Sequence, residues 1–265
     1  MEQLVCTPKG LDPAMRFEAA EHAISINQMN RAPVERLTKV LPGITNLRPY
    51  ISVLTTKRWK TNGVDLSVSF MDDPAQDLRN RILSHMNAWG ENAAVRFRET
   101  DGTGQVRIAR EGGEDGGYWS YLGTDVLLIP KSEQTMNLEG FTMQTPDHEF
   151  FRVVRHEAGH TLGFPHEHMR RELVELIDHE RAIEYYMATQ GWSREEVIAQ
   201  VLTPIDESSL FGTPRTDPHS IMCYQIPGGI TKNGQPIPGG ADIDTIDREF
   251  CAVCYPKRQL KGQQQ

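Results

Sequence analysis

The chain has 265 residues, 38% of them hydrophobic and 24% charged, with a formal net charge of −8. That length and apolar content suffice for one substantial core, or for two lobes sharing a cleft. The acidic balance and the lack of a lysine-arginine run exclude a nucleic-acid partner, and without a stretch of about 18 apolar residues nothing spans a membrane.

Residues 1–8 have neither a basic start nor an apolar run, so no signal peptide is visible. The expectation is a cytoplasmic protein, one exported by a leaderless route, or one numbered from after a removed leader. Asp12-Pro13 opens a helical pattern reaching about Asn27, with proline suited to a first helical position. Residues 28–56, with Pro33, Pro42 and Pro49, read as a loop-rich connector. Val64, Leu66, Val68 and Phe70 then alternate with polar residues, as in a half-buried strand. Asp73-Pro74 starts a helix whose Leu78, Ile82, Met86 and Trp89 make one apolar stripe. Strands are expected around 94–98, 105–109 and 125–129. The glycine-rich run 111–117 lacks the Lys-Ser/Thr ending and following helix of a phosphate loop, and reads as the rim of a cleft.

Thr145-Pro146 opens the helix that carries the chemistry. Asp178 caps a later helix to about Thr189, and Ser193 with Glu196 forms a capping box opening another to Leu202. Their apolar stripes (Ile183, Tyr186 and Met187; Val197 and Val201) read as scaffold, with shaping of the substrate cleft as the alternative. The polar tail 257–265 is expected to be disordered. The fold class that emerges is α+β: sheet elements run into one helix, and the chain turns at Gly163 into a second, mainly helical and irregular lobe.

His156-Glu157-Ala-Gly-His160-Thr-Leu-Gly163-Phe-Pro-His166 is the most informative stretch. A helix turns about 100° per residue, so His156 and His160 project from one face, one turn apart. Two such imidazoles bind one zinc, with Glu157 beside the remaining position as a general base. Gly163 ends the helix in a left-handed turn, and the reversal brings His166 up as a third ligand. Three protein ligands leave a fourth position for water, the mark of a catalytic Zn2+ site; a structural one is closed by four. Two histidines on an ordinary helix face would leave the glycine and third histidine at fixed spacing unexplained. Residues 220–224, Ser-Ile-Met-Cys-Tyr, add a methionine turn. Met222 reads as an apolar floor beneath the histidines, since thioethers favour softer metals than zinc. His168 does not fit the spacing from Gly163 and reads as a supporting or surface residue, and His148 as an exposed one.

The extended zinc motif with the methionine turn resembles the metzincin metallopeptidases, and finer details resemble the astacin family among them. Glu167 directly follows the third histidine, and Tyr224 stands two residues after Met222, where astacins carry a tyrosine able to approach the zinc. Residues 118–123, with Trp119, Ser120 and Tyr121, are similar to the Cys-Trp-Ser-Tyr-x-Gly stretch of that family. So are Trp59-Lys60-Thr61-Asn62-Gly63-Val64, a helix ending in Trp89, and Val95-Arg96-Phe97, and the resemblance covers about residues 57–256.

The resemblance implies a two-lobed catalytic domain at 46–256, its lobes split near 163. A twisted, mostly parallel sheet and the active-site helix would form the first lobe. Residues 1–45 would be a helical extension or a propeptide-like segment. It implies a zinc-dependent endopeptidase with one Zn2+ on His156, His160 and His166, Glu157 as general base and acid, and Tyr224 sharing the oxyanion charge. Gly163, Glu167 and Met222 would support the site. Trp119, Ser120 and Tyr121 would border the bound peptide, which adds to a sheet edge. Arg170, Arg171 and Arg215 would be surface residues or would favour acidic side chains. The partners are protein or peptide substrates, and a monomer is the expected state. The alternatives are a latent or catalytically silent zinc-containing binding protein, and an enzyme acting on a non-protein amide.

The cysteines depart from that family, whose domains usually carry two disulfides, one using the residue before Trp-Ser-Tyr. Tyr118 stands there, so that bridge cannot form. Cys6, Cys223, Cys251 and Cys254 allow three connectivities, and Cys251-Ala-Val-Cys254 reads as a small disulfide, a reduced pair or half of a second metal site. Few bridges fit a reducing compartment, or an export route that does without them. Cys6 is a candidate latency switch: its thiolate could fill the open zinc position, as in matrix metallopeptidases, where astacins use an aspartate. Astacins also bury the mature N-terminus near the glutamate after the third histidine, so the extension puts activation of that kind in doubt.

Overall fold

Val64, Leu66 and Val68 are buried while Asp65 between them is exposed, so strand β1 (Val64–Phe70) gives one face to a core as its alternation predicts. The computed structural model describes residues 6–7, 9–40, 42–43, 46–48, 51–52, 55–113, 116–205 and 216–257. β1 pairs in parallel with β2 (Val95–Glu99) and β3 (Val106–Ala109). β4 (Tyr118–Ser120) pairs antiparallel with β5 (Met136–Leu138), which is itself parallel to β3. The order β2-β1-β3-β5-β4 leaves β4 at an edge. The expected mostly parallel sheet is present.

Two expectations fail for identifiable reasons. Residues 125–129 form no strand; they belong largely to a 3-10 turn, Gly123–Leu128. Thr124 N–H donates to the Lys57 carbonyl at 2.9 Å and Val126 is fully buried, so the apolar run serves burial instead of a ladder. Gly123 holds φ +50, and a Cβ there would stand 1.9 Å from the Lys57 oxygen. Nor is 28–56 a plain connector. Asn27 accepts from Met29 N–H to open a 3-10 turn, Gln28–Arg31, which runs into helix α2 (Ala32–Val40). Pro33 sits in the first turn of α2, where its missing N–H costs nothing.

Helix α1 (Arg16–Ile26) follows a 3-10 turn, Pro13–Met15, capped by Asp12 as expected. It buries Ala19, Ala20 and Ala23, and packs against the Gly123–Leu128 turn. Helix α3 (Gln76–Met86) buries Leu78, Ile82 and Met86. Helix α4 is one run: Asp147–Glu149, a π-helical stretch Phe150–Val154, then Arg155–Thr161. Beyond it come α5 (His179–Gln190), capped by Asp178, and α6 (Arg194–Val197), opened by the predicted capping box. α7 (Thr245–Cys254) is the last helix described.

Buried side chains form two main clusters. The first joins the sheet, α3, α4 and α7 through residues such as Leu66, Ile82, Ile108, Phe150 and Tyr255. The second gathers Ile177, Ile183, Tyr186, Val197 and Val201 with Cys223, Tyr224 and Cys6. α4 runs beside the boundary between them. No helix among the described residues is long and apolar enough to cross a membrane. Residues 258–265, most of the tail expected to be disordered, lie outside the described residues.

Candidate active site

The end of α4 holds His156 and His160 on one face, both buried. Nδ1 of His156 lies 2.6 Å from the Ile221 carbonyl oxygen, and Nδ1 of His160 lies 2.8 Å from that of Phe164. A carbonyl only accepts, so both Nδ1 atoms carry the hydrogen and both Nε2 atoms present a lone pair. Gly163 turns the chain at φ +92, where a Cβ would meet the Lys57 oxygen at 3.0 Å. His166 then brings its Nε2 to 3.0 Å from the Nε2 of each other histidine.

Three imidazole nitrogens thus converge on one point, two of them with lone pairs set by their Nδ1 bonds. Neutral imidazoles suit zinc, so the donor set fits one Zn2+. Burial, more than any neighbour, pushes the His156 pKa down to about 4 and holds His160 and His166 well below the usual range. All three therefore stay neutral, as ligands must be.

The methionine turn lies against this set. Met222 packs its Sδ against Gly159, where a Cβ would come within 2.5 Å. The Met222 carbonyl accepts from Glu167 N–H at 2.8 Å, tying the turn to the residue after the third histidine. Asp247 accepts from Ser220 Oγ at 2.6 Å and Ile221 N–H at 2.9 Å, fixing the carbonyl that orients His156. Glu167 accepts from Asp217 N–H at 2.9 Å and pairs with Arg170 at 3.3 Å, and burial raises its pKa to about 7.

Glu157 is fully buried, and burial raises its pKa to about 8 against the opposing hydrogen bond of the Cys6 thiol. Cys6 sits beside it. One ligand atom from each of Cys6, His156, His160 and His166 lies within 4.8 Å of the others. Burial first, and then the Glu157 charge, hold the Cys6 thiol well above its ordinary pKa. The Tyr224 hydroxyl donates to the Cys6 carbonyl. His168 is buried and stacks on Tyr224 at 3.9 Å, with Nε2 2.9 Å from the Gln200 carbonyl; it supports the site and is no surface residue. His148 is exposed, as expected.

The segment carrying Cys6 lies along β4. Thr7 N–H donates to the Tyr118 carbonyl at 3.0 Å, Lys9 forms a parallel bridge with Tyr121, and the Lys9 ammonium lies 4.9 Å from the Trp119 ring. A cavity of about 490 Å³ lined by Arg152, Glu157, Tyr186 and Tyr224 opens on one side of Cys6. A second, of about 330 Å³, is lined by Leu11, Lys57, Asp125, His160 and His166. Trp119 and Ser120 are buried, Ser120 Oγ lying 3.0 Å from Thr161 Oγ1, so their side chains are taken up within the protein.

Of the three arginines, one meets the surface expectation and one departs from it. Arg170 is buried against Glu167, Arg171 is exposed, and Arg215 lies outside the described residues. The cation at the larger cavity is Arg152, bonded to Glu149 at 3.0 and 2.7 Å. Its place one helical turn before His156 was the available signal, and no motif drew attention to it. All four cysteines are free and buried. Cys251 and Cys254 are thus a reduced pair, and among the described residues neither belongs to a grouping able to hold a metal.

Such a site, beside a mostly parallel sheet and above a methionine turn, defines a metzincin-like metallopeptidase fold. Comparison with known proteins agrees: the profile of the Astacin peptidase family matches residues 52–211. Zinc metalloproteinase nas-27 of Caenorhabditis elegans is 35% identical over 121 residues, 46% of this chain and 25% of the relative. Zinc metalloproteinase nas-38 of that organism is 28% identical over 115 residues, covering 43% of this chain and 14% of its own length. The chain thus spans a quarter or less of these curated relatives. A solved structure of myroilysin superposes with a TM-score of 0.72 at 30% identity, covering 78% of this chain and 99% of that one. High choriolytic enzyme 1, a hatching enzyme zinc-protease from Oryzias latipes, shares the fold at a TM-score of 0.50 and 20% identity, over 78% of this chain and 96% of that one. The chain belongs to the astacin family of zinc metallopeptidases.

Proposed function

We propose that this protein is a zinc-dependent endopeptidase, held in a latent state, with 46–256 as its catalytic domain and the lobes split near residue 163. The observation that carries the reading is the meeting of Cys6 with the Nε2 atoms of three histidines beside a buried Glu157. His156, His160 and His166 would hold the zinc. When bound, zinc supplies Lewis acidity, polarising a carbonyl oxygen and making water acidic near neutral pH. Glu157 takes the proton from the attacking water and returns it to the departing amine; the Cys6 thiol is the donor that now competes for its carboxylate and leaves with its segment. The Tyr224 hydroxyl, which now donates to the Cys6 carbonyl, is the donor available to a substrate carbonyl once that segment has left. The backbone of Tyr118 at the β4 edge and of Tyr121 just beyond it, which now pair with Thr7 and Lys9, then receives the peptide.

Cys6 blocks the site twice over: its thiol takes the position facing the three histidines, and its backbone takes the hydroxyl of Tyr224. The test uses denatured casein with the purified chain, Cys6→Ala, Glu157→Ala and the double variant, with zinc measured in each. Cleavage by Cys6→Ala without lag, slow or delayed cleavage by the parent, and none by the Glu157→Ala proteins at about one zinc per chain is the expected pattern. A zinc-loaded Cys6→Ala protein inert toward casein and a broad peptide panel would instead favour a binding protein.

A further inference from the structure

Asn30 is fully buried, and its side chain uses every hydrogen-bonding valence an amide has. Nδ2 donates to the carbonyls of Ala23 at 2.8 Å and Arg58 at 2.9 Å. Oδ1 accepts from Thr56 Oγ1 at 2.7 Å and Arg58 N–H at 3.1 Å. Asn27 adds a bond from Nδ2 to the Trp59 carbonyl at 2.6 Å. The 3-10 turn after α1 is thereby tied to residues 56–59.

Those residues also clasp the end of the zinc helix. Trp59 Nε1 donates to the Thr161 carbonyl at 2.8 Å. Trp59 N–H donates to the Tyr255 hydroxyl at 3.2 Å, and that hydroxyl donates to the Leu162 carbonyl at 2.5 Å. The Lys57 carbonyl lies against Gly163, the residue that swings His166 into place. Segment 57–59 is thus held by the N-terminal extension on one side, and itself holds the stretch between His160 and His166 on the other. Among the described residues of the extension, Cys6 is the one grouped with the three histidines. Leu11, which follows it, is already buried with Ala19 and Ile129.

We propose that the helical extension, α1 and α2, is a lasting part of the catalytic body, with Asn30 as a positioning residue for the zinc helix, and that activation lifts or cuts the chain ahead of α1. This rests on the latency reading above and names the part of the extension that moves. Removing the whole extension would leave Arg58 N–H and the Arg58 and Trp59 carbonyls without these partners, in a segment where Arg58 is 4% and Trp59 6% exposed.

The first test follows the purified full chain as it becomes active, spontaneously or with trace trypsin, by native gel filtration and by intact mass under denaturing conditions. An active species that retains residues 16–40 supports the proposal; one that lacks them overturns it. The second measures zinc affinity by chelator competition for Asn30→Ala and the milder Asn27→Ala. The control is a second-lobe core variant, Ile183→Ala, compared where all are fully folded. Zinc binding about 10-fold weaker in the asparagine variants, and unchanged in the control, is the result expected of a support behind the ligands. Equal affinities would overturn the positioning role. A zinc-loaded chain that never cleaves peptide would count against the endopeptidase reading, and the affinity measurement would still decide the role of Asn30.

Discussion

Replacing Gly159 by alanine sets two known quantities against each other. Helix propensity alone would stabilise the α4 run by about 1 kcal/mol, since alanine loses less backbone freedom than glycine. Packing opposes it. The new Cβ would stand 2.5 Å from Met222 Sδ, 3.0 Å from Trp89 Cζ2 and 3.3 Å from Met222 Cε. Comfortable contact lies at about 3.5–4.0 Å, so the sulfur must retreat by about 1 Å. Retreat is restricted, because the Met222 carbonyl is held by Glu167 N–H at 2.8 Å and its own N–H by Ser220 Oγ at 3.0 Å. The indole of Trp89 is fixed by its bond to the Arg155 carbonyl at 2.8 Å. Overpacking of this kind costs about 1–3 kcal/mol, so we expect a net loss of about 1 kcal/mol for Gly159→Ala. Urea titrations of the zinc-loaded protein would measure it, with Met222→Ala and the double variant completing a cycle. Opening space at Met222 should turn the alanine from harmful to helpful, a coupling of about 1 kcal/mol or more. A Gly159→Ala protein more stable than the parent, or a cycle additive within about 0.5 kcal/mol, would refute the claim that the methionine sulfur packs against the zinc helix.

Three other changes have definite outcomes. Burial, followed by the charges of Arg155 and Arg81 and against those of Asp147 and Asp242, presses the His85 pKa down to about 4. Its neutral form therefore supports the fold fully above about pH 6.5, and that support is lost as pH falls through about 4. His85→Gln, which keeps an acceptor for the Arg155 guanidinium, should flatten the stability–pH slope across that window by up to one proton; an unchanged slope in urea midpoints would refute it. The Tyr186 hydroxyl is buried without a hydrogen-bond partner, so Tyr186→Phe should leave the stability unchanged or raise it, by up to about 1 kcal/mol, and a lowered thermal midpoint would reveal a missed partner. In the activated enzyme, Tyr224→Phe should lower kcat by about 10²–10³ with KM nearly unchanged, and an undiminished kcat would remove the phenol from the reaction.

The convergence of His156, His160 and His166 was legible because its constraints are local. A turn of helix sets the His156–His160 spacing, and a left-handed residue after it almost requires glycine at 163. The strand at 64–70 and the capped helices at Asp178 and Ser193 were legible for the same reason. β4 and β5 were not seen as strands because three residues are too few to show a period. Residues 125–129 look like a strand by composition, and only Lys57, far away in sequence, makes them a turn. The weight carried by Asn27 and Asn30 was hidden more deeply. An asparagine in a polar stretch with prolines nearby reads as a turn former, and its partners at 56–59 are 26 to 32 residues away. Arg152 is marked in the sequence only by its place one turn before His156, which does not distinguish a cavity-lining arginine from a solvated one.

The four separate, buried thiols also make the chain a clock for its own openings. A thiol reagent added to the folded protein reaches each sulfur only in the moments when that part of the molecule lets go. Cys251 and Cys254 are packed into the main core, so their labelling should wait for whole-molecule unfolding. Cys6 sits on a short stretch paired to the edge strand and to one phenol, and should be labelled long before them. The ratio of the two labelling rates would give the free-energy gap between lifting the Cys6 segment and unfolding the whole molecule, without any substrate in the tube.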